Sequence, residues 1–397
     1  MTVRANKPAF NIREKLKELT QSIGLKGREL MRAATAQEAR DLVSAGRKNI
    51  IINGDMSVWQ RGTAATTVTT GAGYLADRWQ VVTAGSAELT IEQSTDTPSG
   101  FPYSLKISPS VTDTLSSNEQ MHVMQHIEAQ NATFLNWGSS DGIPITITFW
   151  AKSSDTSNKC LWLYAQDAGD HIARQFNCKK ANTWEKFTFT IPPNPGGVID
   201  NNNGSGIYVR IVLDAGDSSA NGSLPETWTN ITSTGRYGTL EPGFAESTSN
   251  EFYLTGVQVE AGKNATEFEH RSYGEELALC QRYFRILQAG RVLAVSNGSN
   301  IAIGGNIYHP VTMRDTPTPT FYGGNSTSGN VILFSSEGGS QANYTTTANN
   351  FSGAQNGGDC FGFNASGFSP TFAAAANGWI DLGTASNNLK IEFSAEL

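Results

Sequence analysis

The residues best suited to acid–base chemistry are concentrated in residues 256–284, GVQVEAGKNATEFEHRSYGEELALCQRYF. Five glutamates lie there with a histidine and a cysteine, and a glycosidase needs two carboxyl groups about 5 to 9 Å apart. Glu260 and Glu269 are the candidates for such a role. The polar side chains of Gln258 and Glu260, however, alternate with valines, which is typical of a strand with one buried and one wet face. We therefore favour a structural role and predict no catalytic residue.

Histidine offers a weaker set of candidate metal ligands. His122 and His126 fall on one face of the predicted strand EQMHVMQHIE and would supply two ligands of a metal site. Two ligands hold a metal poorly, and a polar strand face explains the same spacing, so we favour the polar face. The sequence contains no HExxH motif and no Walker loop.

The tetrapeptide DAGD occurs twice, at 167–170 and at 214–217, each time after an apolar strand pattern. Calcium prefers oxygen ligands, so carboxylates on both sides of Ala-Gly would suit it. The same residues are typical of polar turns, and we favour turns. We predict no cofactor other than a structural calcium ion, for which these two segments supply the candidate ligands Asp167, Asp170, Asp214 and Asp217.

Cysteine usage bears on the folding compartment. Four cysteines in 397 residues, with no CxxC pair, exclude a disulfide scaffold and indicate folding in a reducing compartment. A three-residue hairpin loop centred on Gly169 would place Cys160 opposite Cys178, since each lies nine residues from the centre. We expect these two thiols to face each other in the reduced state.

Aromatic side chains are the best candidates for carbohydrate binding, because sugars lie flat on aromatic faces while amides and carboxylates form hydrogen bonds with the sugar hydroxyls. Five tryptophans lie inside strand patterns and are predicted to be core: Trp59, Trp79, Trp150, Trp162 and Trp184. Five other aromatic residues lie beside polar turns and are predicted to form an exposed carbohydrate-binding surface: Trp228, Tyr237, Tyr322, Tyr344 and Trp379.

Composition and charge narrow the class of protein. Hydrophobic residues make up 38% of the chain, charged residues 16%, and there are 40 glycines, a composition typical of short strands joined by tight turns. Residues 1–48 carry 11 Lys and Arg against 5 Asp and Glu, so the net charge of -7 leaves -13 on the remainder. An acidic body argues against nucleic acid as the main ligand. No apolar run suits a membrane span, so no membrane insertion is expected.

Residues 1–48 are predicted to form short helices. An apolar stripe with spacings of four, three and four follows a capping-box pattern, and a second box at 35–38 begins another helix that ends near residue 46. Such short helices cannot bury their stripes alone, which favours a seam between subunits or with a docking partner. The residues of the stripe are Ile12, Leu16, Leu19 and Ile23.

The remainder is predicted to be mainly β. Short alternating segments with turn signals between them indicate a β-sandwich of jelly-roll type over residues 49–271. Residues 272–284 read as a short linking helix, with Ser272 as the N-cap and Glu275 at the third helical position. Further strand patterns over 285–397 indicate a smaller C-terminal β-sandwich.

Several stretches carry a resemblance to a known family. The segments are NIIINGDMSVWQRGT, DRW at 77–79, ITITFWAKSS, NTWEKFTFTIP and the glutamate-rich stretch 256–284. Together, over about 49–284, they resemble a module of tail fibres and related receptor-binding proteins of tailed bacteriophages. The opening NGDMSVWQ also looks like the first strand of jelly-roll carbohydrate-binding modules, where such a stretch lies near a structural calcium. This resemblance adds Asp55 to the candidate calcium ligands.

The N-terminal segment, KPAFNIREKLKEL with TAQEARDLVSAGRKN, is similar to the short helical lead by which phage fibre proteins dock on the virion. The resemblance implies a homotrimer with its N-termini on the particle, attached to tail, adaptor or baseplate proteins, and its C-termini directed outward. It implies a host surface glycan as the ligand, recognised by the C-terminal domain, and assembly into the virion after synthesis in the host cytoplasm.

Three functions follow as hypotheses. The first is a non-enzymatic virion fibre subunit that adheres to bacterial surface carbohydrate. The second is a structural fibre or adaptor of the same particle, such as a head fibre, a collar or a baseplate connector. The third is a polysaccharide depolymerase that uses Glu260 or Glu269, which we favour least because the acids read as a strand face.

Overall fold

A computed structural model describes the following residues: 48–231, 234–240, 243–288, 290–296, 301–304, 307–322, 331–337, 340–346, 351–366, 377–382 and 390–397. The predicted N-terminal helices lie outside these residues, so the seam of Ile12, Leu16, Leu19 and Ile23 stays a prediction. The proposed domain boundaries at 48, 271 and 284 also stay predictions.

The described chain is mainly β, as predicted. The first thirteen strands are β1 (Thr66–Val68), β2 (Gly71–Tyr74), β3 (Gln80–Thr83), β4 (Glu88–Ser94), β5 (Ser104–Val111), β6 (Gln120–Glu128), β7 (Ile145–Ser153), β8 (Lys159–Ala165), β9 (Asp170–Phe176), β10 (Glu185–Ile191), β11 (Ser205–Ala215), β12 (Thr229–Asn230) and β13 (Phe252–Ala261). A single helical turn, α1 (Asp217–Ala220), follows β11.

These thirteen strands form two antiparallel sheets. One has six strands in the order β1-β4-β5-β13-β7-β10, and the other has seven in the order β12-β9-β8-β11-β6-β3-β2. Many neighbours in each sheet are distant in sequence, so the register depends on pairing between distant segments. The predicted β-sandwich is confirmed.

The core lies between the two sheets, where alternate residues of each strand point inward. Phe149 of β7 is fully buried, and its ring lies 5.1 Å from that of Phe176 at the end of β9 in the opposite sheet. Burying one such side chain contributes about 1.5–3 kcal/mol. Leu161 and Leu163 of β8 point into this core, which leaves the residues between them on the outer face of the seven-stranded sheet.

Strand β13 differs from its prediction, because both of its faces are buried. Gln258 is fully buried and Glu260 is 3% exposed, so the predicted wet face is wrong. Glu260 accepts hydrogen bonds from Gln258 and from the backbone N–H and hydroxyl of Thr266, and Gln258 accepts one from the backbone N–H of Glu269. These polar side chains fasten the segment after β13 onto the strand.

The linking helix α2 (Tyr273–Gln281) is confirmed with its predicted cap. The Ser272 hydroxyl accepts from the backbone N–H of Glu275, and the Glu275 carboxylate accepts from the backbone N–H of Ser272 at 2.9 Å. Cys280 is buried in a cluster that also contains Ile52 and Val58. Tyr273, at the first helical position, is 60% exposed.

Eleven described strands follow α2: β14 (Phe284–Gln288), β15 (Gly290–Ser296), β16 (Ile301–Gly304), β17 (Ile307–Tyr308), β18 (Thr318–Tyr322), β19 (Val331–Glu337), β20 (Ser340–Thr346), β21 (Phe351–Asn356), β22 (Cys360–Ser366), β23 (Asn377–Leu382) and β24 (Lys390–Ser394). They form a three-stranded sheet, β14-β24-β18, and an eight-stranded sheet that contains the others. The rings of Phe361 and Phe393, one from each sheet, lie 4.9 Å apart.

The C-terminal strands contact the sandwich through charged side chains. Arg282 and Tyr283, which follow α2, both donate to the buried carboxylate of Glu128, the latter at 2.6 Å. Glu396 accepts from Arg61 at 3.2 Å and from Arg78. In the part of the chain that the structure describes, no helix has the length and apolarity to cross a membrane.

Candidate binding site

The outer face of the seven-stranded sheet carries a group of aromatic and polar side chains from three neighbouring strands. Tyr208 of β11 lies opposite His126 of β6 on one side and opposite Tyr164 of β8 on the other. Two residues along, Arg210 lies opposite Trp162. We call these five residues the aromatic platform. Trp162 and Tyr164 are two residues apart on β8, as are Tyr208 and Arg210 on β11, and residues directly opposite on paired strands point to the same side of the sheet.

The rings of the platform touch one another in a continuous row. The centroids of His126 and Tyr208 are 4.0 Å apart with the rings 5° from parallel. Tyr164 meets Tyr208 edge-on at 5.5 Å and stacks on Trp162 at 5.5 Å. Such contacts contribute about 0.5–1.5 kcal/mol each beyond the area they bury. The row therefore holds its own rings in place before any ligand arrives.

Arg210 anchors one end of the row. Its guanidinium carbon lies 4.6 Å from the Trp162 ring centroid, and one terminal nitrogen donates to the Tyr237 hydroxyl at 3.0 Å. The Tyr237 hydroxyl in turn donates to Gln120. The indole N–H of Trp162 donates to His171 Nδ1 at 2.9 Å. Trp162 and Arg210 are buried in this network, so they position the platform from beneath.

The histidines of this face are held neutral. Burial, followed by the positive charges of Arg78 and Arg210, lowers the pKa of His126 to about 3. Burial and Arg210 hold the pKa of His122, four residues before His126 on β6, well below its usual range. His126 Nδ1 lies 3.2 Å from the Ser205 hydroxyl. A neutral histidine offers one ring nitrogen as donor and the other as acceptor, which suits hydroxyl groups.

Access to the platform is uneven. Tyr164, Tyr208 and His126 are each partly exposed, whereas Trp162 is 2% exposed. A ligand would therefore contact the two tyrosines and the histidine. Partly exposed rings flanked by fixed polar groups can hold a flat, hydroxylated molecule against the sheet.

Among the five aromatic residues predicted to form an exposed carbohydrate-binding surface, the prediction is wrong for Tyr237. It is fully buried, packed edge-on to Trp162 at 6.1 Å. The polar turn around it folds over the platform's end, so its ring belongs to a small core and its hydroxyl to the Arg210 network.

Trp228 is partly exposed but lies away from the platform. Its ring meets Trp137 at 5.1 Å, and its indole N–H donates to the backbone oxygen of Pro192 at 2.8 Å. Of Tyr322, Tyr344 and Trp379 the structure describes the backbone alone. Tyr322 lies in β18, while Tyr344 in β20 and Trp379 in β23 fall on successive rungs of the eight-stranded sheet. These aromatic residues are not brought to one site with Trp228 and Tyr237.

The predicted calcium ligands are likewise dispersed. Asp170 is level with Ile207, and Asp214 lies seven residues further along β11, roughly 23 Å at about 3.3 Å per residue. The first DAGD is the predicted hairpin turn, but the second is a strand end followed by α1, so a turn is wrong there. Asp217 begins α1.

Three of the candidate aspartates accept hydrogen bonds from nearby groups. Asp170 accepts from Asn194 and Asn230, and Asp167 accepts from the backbone N–H of Asp200. Asp55 accepts from the backbone N–H of Ser57 at 3.2 Å. Among the described residues, no group of three or more His, Cys, Asp or Glu could hold a metal ion.

The prediction that Cys160 and Cys178 face each other across the hairpin is wrong. The hairpin pairs Ala165 with Asp170, so its loop has four residues and Cys160 lies opposite Gln175. Cys178 lies beyond the end of β9 and packs in the main core, whereas Cys160 packs on the outer side. The predicted loop is centred on Gly169, whereas the observed loop spans 166–169, and this shift moves the partner of Cys160 by three residues, from Cys178 to Gln175.

The two glutamates considered for catalysis serve structural roles. Glu260 is buried within the network of Gln258 and Thr266 described above. Both oxygens of Glu269 accept backbone N–H groups, those of Lys48 and Asn49, each at 2.9 Å. Burial opposes ionisation of Glu269, but these donors and Arg271 outweigh it and lower the pKa of its carboxyl. A general acid needs the opposite shift.

Two of the five tryptophans predicted to be core are not fully buried. Trp59, Trp79 and Trp162 are buried, as expected. Trp150 and Trp184 are partly exposed on the outer side of the six-stranded sheet. Trp150 lies in β7, whose other residues are all buried, and Trp184 immediately precedes β10. An alternating pattern therefore does not by itself decide how fully each side chain is covered.

The sequence alone does not single out Tyr164, Tyr208 and Arg210 as residues of a candidate site, and it indicates His126 only as a candidate metal ligand. The signal was present in KCLWLYAQD and IYVRIVLD, where aromatic and charged residues alternate with aliphatic ones. A position beside a polar turn is therefore not a sufficient sign of a binding surface, since a sheet face displays its side chains as readily as a loop does.

No family model and no curated protein matches the chain. Similar solved structures include the enzymatically active domain of tailspike protein 4 of bacteriophage CBA120, at TM-score 0.28 and 12% identity over 54% of this chain and 21% of that chain. A family 11 carbohydrate-binding module of Clostridium thermocellum matches at TM-score 0.25 and 13% identity, over 53% of this chain and 99% of its own.

A third similar structure is TmCBM61, solved in complex with β-1,4-galactotriose, at TM-score 0.26 and 10% identity over 46% of this chain and 88% of that chain. The chain spans about a fifth of the tailspike structure it matches. Identities and TM-scores this low do not transfer a function from these proteins to this one.

Proposed function

We propose that this chain is a non-enzymatic carbohydrate-binding protein and that the aromatic platform is its glycan site. The observation that carries the proposal is the row of His126, Tyr208 and Tyr164, which is partly exposed and crosses three neighbouring strands. Aromatic surfaces receive the apolar faces of sugar rings, while the surrounding polar groups bond their hydroxyls.

The shape of the platform favours a linear glycan over a single sugar. Neighbouring strands lie about 4.8 Å apart, so three strands offer successive contact points along one line. Ser205, beside His126, adds a hydroxyl at one end of the line. Each contact is weak, and several along one chain are needed for useful affinity.

The biological setting we propose is the virion of a tailed bacteriophage, with the glycan on the host cell surface. The basic N-terminal segment 1–48 would dock on another virion protein, and three copies would form the fibre. The charge asymmetry of the chain and the resemblance of its N-terminal segment support this setting. Linking weak sites in one particle raises overall avidity by about 10²–10⁴.

Binding of the full chain to purified host surface polysaccharide, before and after Tyr208→Ala and Tyr164→Ala, tests the glycan site. Losing one aromatic contact of about 1–2 kcal/mol weakens binding roughly five- to thirtyfold. Tyr308→Ala is a matched control, because Tyr308 is 71% exposed on a C-terminal strand. Unchanged binding in both platform variants, together with loss in Tyr308→Ala, would instead place recognition in the C-terminal strands.

A structural fibre or adaptor is the second candidate, favoured by the charged contacts that lock the C-terminal strands to the sandwich at Glu128 and Glu396. A spacer needs such rigidity. A low-resolution image of the particle with this chain labelled separates the two: density at the tail tip supports adhesion, and density on the capsid or neck supports a spacer.

The absence of catalysis is tested directly on the same polysaccharide. Incubation with the pure chain should release no new reducing ends, because Glu260 and Glu269 are both engaged by protein donors. Release that disappears in Glu269→Gln, with folding intact, would overturn the non-enzymatic assignment.

A further inference from the structure

A second concavity lies on the outer face of the opposite, six-stranded sheet. It has a volume of about 220 Å³ and lies between the loop 99–101, strands β7 and β10, and the segment 267–270. We call it the bulge pocket. Its wall-forming side chains are Phe101, Trp150, Lys186, Glu267, Phe268 and His270.

A glycine-dependent irregularity in β13 opens this pocket. The register of β13 against β7 shifts between Thr255 and Gln258, and Gly256 within the shift has φ +62°. A Cβ on Gly256 would lie 2.7 Å from the Phe101 ring and 3.0 Å from the Trp150 ring. Only glycine therefore permits both the backbone conformation and the close approach of these two rings.

Three of the walls are aromatic and hold one another in place. Phe101 meets Phe268 edge-on at 5.1 Å and lies 5.6 Å from His270, while Phe268 and His270 are 4.9 Å apart. Trp150 is partly exposed rather than buried in the core. The segment that carries Phe268 and His270 is held by the Gln258 and Glu260 hydrogen bonds, so the walls are preformed.

Polar groups around the pocket have no protein partner among the described residues. Trp150, Lys186 and Glu267 line it, and no hydrogen bond or ion pair joins the side chain of any of them to another described residue. No salt bridge joins Lys186 to Glu267 within the described chain. Two donors and an acceptor thus remain for a molecule in the pocket.

We infer that the bulge pocket binds a single neutral monosaccharide unit. Its volume is below the roughly 300–1,000 Å³ of pockets that hold drug-sized ligands, so it suits one sugar ring. Aromatic walls receive the ring, and hydroxyls both donate to Glu267 and accept from Lys186 and Trp150. Lys186 and Glu267 carry opposite charges, so the pair has no net charge that favours an anionic or a cationic sugar over a neutral one.

This inference rests on the proposed function for the class of ligand, and it adds a second site on the other side of the sandwich. Because the two sheets present their outer faces in opposite directions, one molecule would hold two sugar units at once. The consequence is a protein that bridges neighbouring glycan chains, or a chain and its branch.

The test uses the full chain with 15N-labelled tryptophan indoles, titrated separately with methyl glycosides of glucose, galactose and mannose and with sialic acid. Trp150→Phe identifies the Trp150 resonance. A saturable shift of that resonance with at least one neutral glycoside is expected at up to about 50 mM, which covers millimolar Kd values. Lys186→Ala and Glu267→Gln should each weaken that binding by about tenfold.

The controls separate this site from the platform. Tyr208→Ala should leave the Trp150 shift unchanged while it weakens polysaccharide binding, whereas Glu267→Gln should leave the platform intact. Gly256→Ala should abolish the shift; if that variant does not fold, the exposed Lys186 and Glu267 variants still decide. A Trp150 resonance that no neutral glycoside moves, or that only sialic acid moves, would refute the inference whatever becomes of the platform.

Discussion

The Tyr237 hydroxyl completes a buried polar chain that holds Arg210 beneath the aromatic platform. It accepts from Arg210 at 3.0 Å and donates to Gln120, which also accepts from Arg210 at 3.4 Å, so the three groups form one hydrogen-bond network. A buried donor that loses its acceptor costs about 1–3 kcal/mol. The residue is thus a support for the platform and not a contact surface.

Tyr237→Phe is expected to lower the free energy of unfolding by about 1–3 kcal/mol, because the ring remains while Arg210 and Gln120 lose a partner. Urea unfolding of the two proteins measures the difference. Tyr308→Phe, at a residue that is 71% exposed, should change stability by less than about 0.5 kcal/mol. Equal stabilities of Tyr237→Phe and the parent would show that the hydroxyl network contributes nothing.

His122 makes the fold sensitive to acid. It is 2% exposed, neither ring nitrogen has a described partner, and its pKa lies well below the usual value because of burial and Arg210. Between about pH 6.5 and that lower pKa, the unfolded chain binds a proton that the folded one does not. The stabilisation is therefore present above pH 6.5 and is lost as the pH falls.

The free energy of unfolding should fall between pH 7.5 and pH 5.5, with His122 contributing about 1 kcal/mol of the loss at about 1.4 kcal/mol per pH unit below 6.5. His122→Leu should remove that part of the slope, since leucine binds no proton. His270→Gln, at an exposed position, is the control and should keep it. Urea unfolding at both pH values supplies the numbers, and an unaltered slope in His122→Leu would count against this account.

At the scale of elements, helix α2 begins where its cap satisfies backbone groups that have no partner within the helix. Ser272 and Glu275 exchange hydrogen bonds, and Cys280 anchors the other end against Ile52 and Val58. The cap and the packed face act together, because a nine-residue helix is too short to persist on its own. The segment between β13 and α2 is held in turn by Gln258 and Glu260.

Ser272→Ala should lower the free energy of unfolding by about 1 kcal/mol, the usual cost of an N-cap lost to alanine. Thermal or urea unfolding measures it. Tyr273→Ala is the neighbouring control, because a side chain that is 60% exposed should contribute less than about 0.5 kcal/mol. A loss in Tyr273→Ala as large as that in Ser272→Ala would indicate general disturbance of the helix rather than loss of the cap.

At the scale of the whole molecule, Glu128 joins the sandwich to the chain that follows α2. Its carboxylate is 1% exposed and receives Arg282 and Tyr283. Burial opposes its ionisation, but these donors outweigh burial and lower its pKa. Removing Glu128 would leave the buried Tyr283 hydroxyl without its acceptor, which costs about 1–3 kcal/mol, whereas the Arg282 side chain is 27% exposed and would be solvated.

Glu128→Ala is therefore expected to destabilise the chain by about 1–3 kcal/mol and to expose residues 281–288 to limited proteolysis. Mass spectrometry of the fragments locates the cleavage. Glu226→Ala, at an exposed acid on the same sandwich, should leave both stability and fragment pattern unchanged. Rapid cleavage elsewhere, with 281–288 protected, would show that Glu128 does not fasten the two parts of the chain.

Much of the architecture could be predicted because its signals are local. Strand alternation, the turn at 167–170 and the capping box at Ser272 each depend on a few consecutive residues, and the structure confirms them. The predicted pairing of Cys160 with Cys178 is wrong by three residues, because the turn lies closer to β8 than predicted and the register carries that shift along the whole hairpin. The predictions that one face of β13 and the Tyr237 ring are exposed are wrong, because segments distant in sequence cover both.

The sequence by itself determined the mainly β class, the strand segments and the helix α2, since alternation and capping are properties of neighbouring residues. Only the tertiary structure decided which residues form a surface. Tyr164 and Tyr208 are 44 positions apart, and they meet because β11 pairs with both β8 and β6. Burial and register are set by strands that are far apart in the chain, so a binding face assembled across a sheet is a property of the fold.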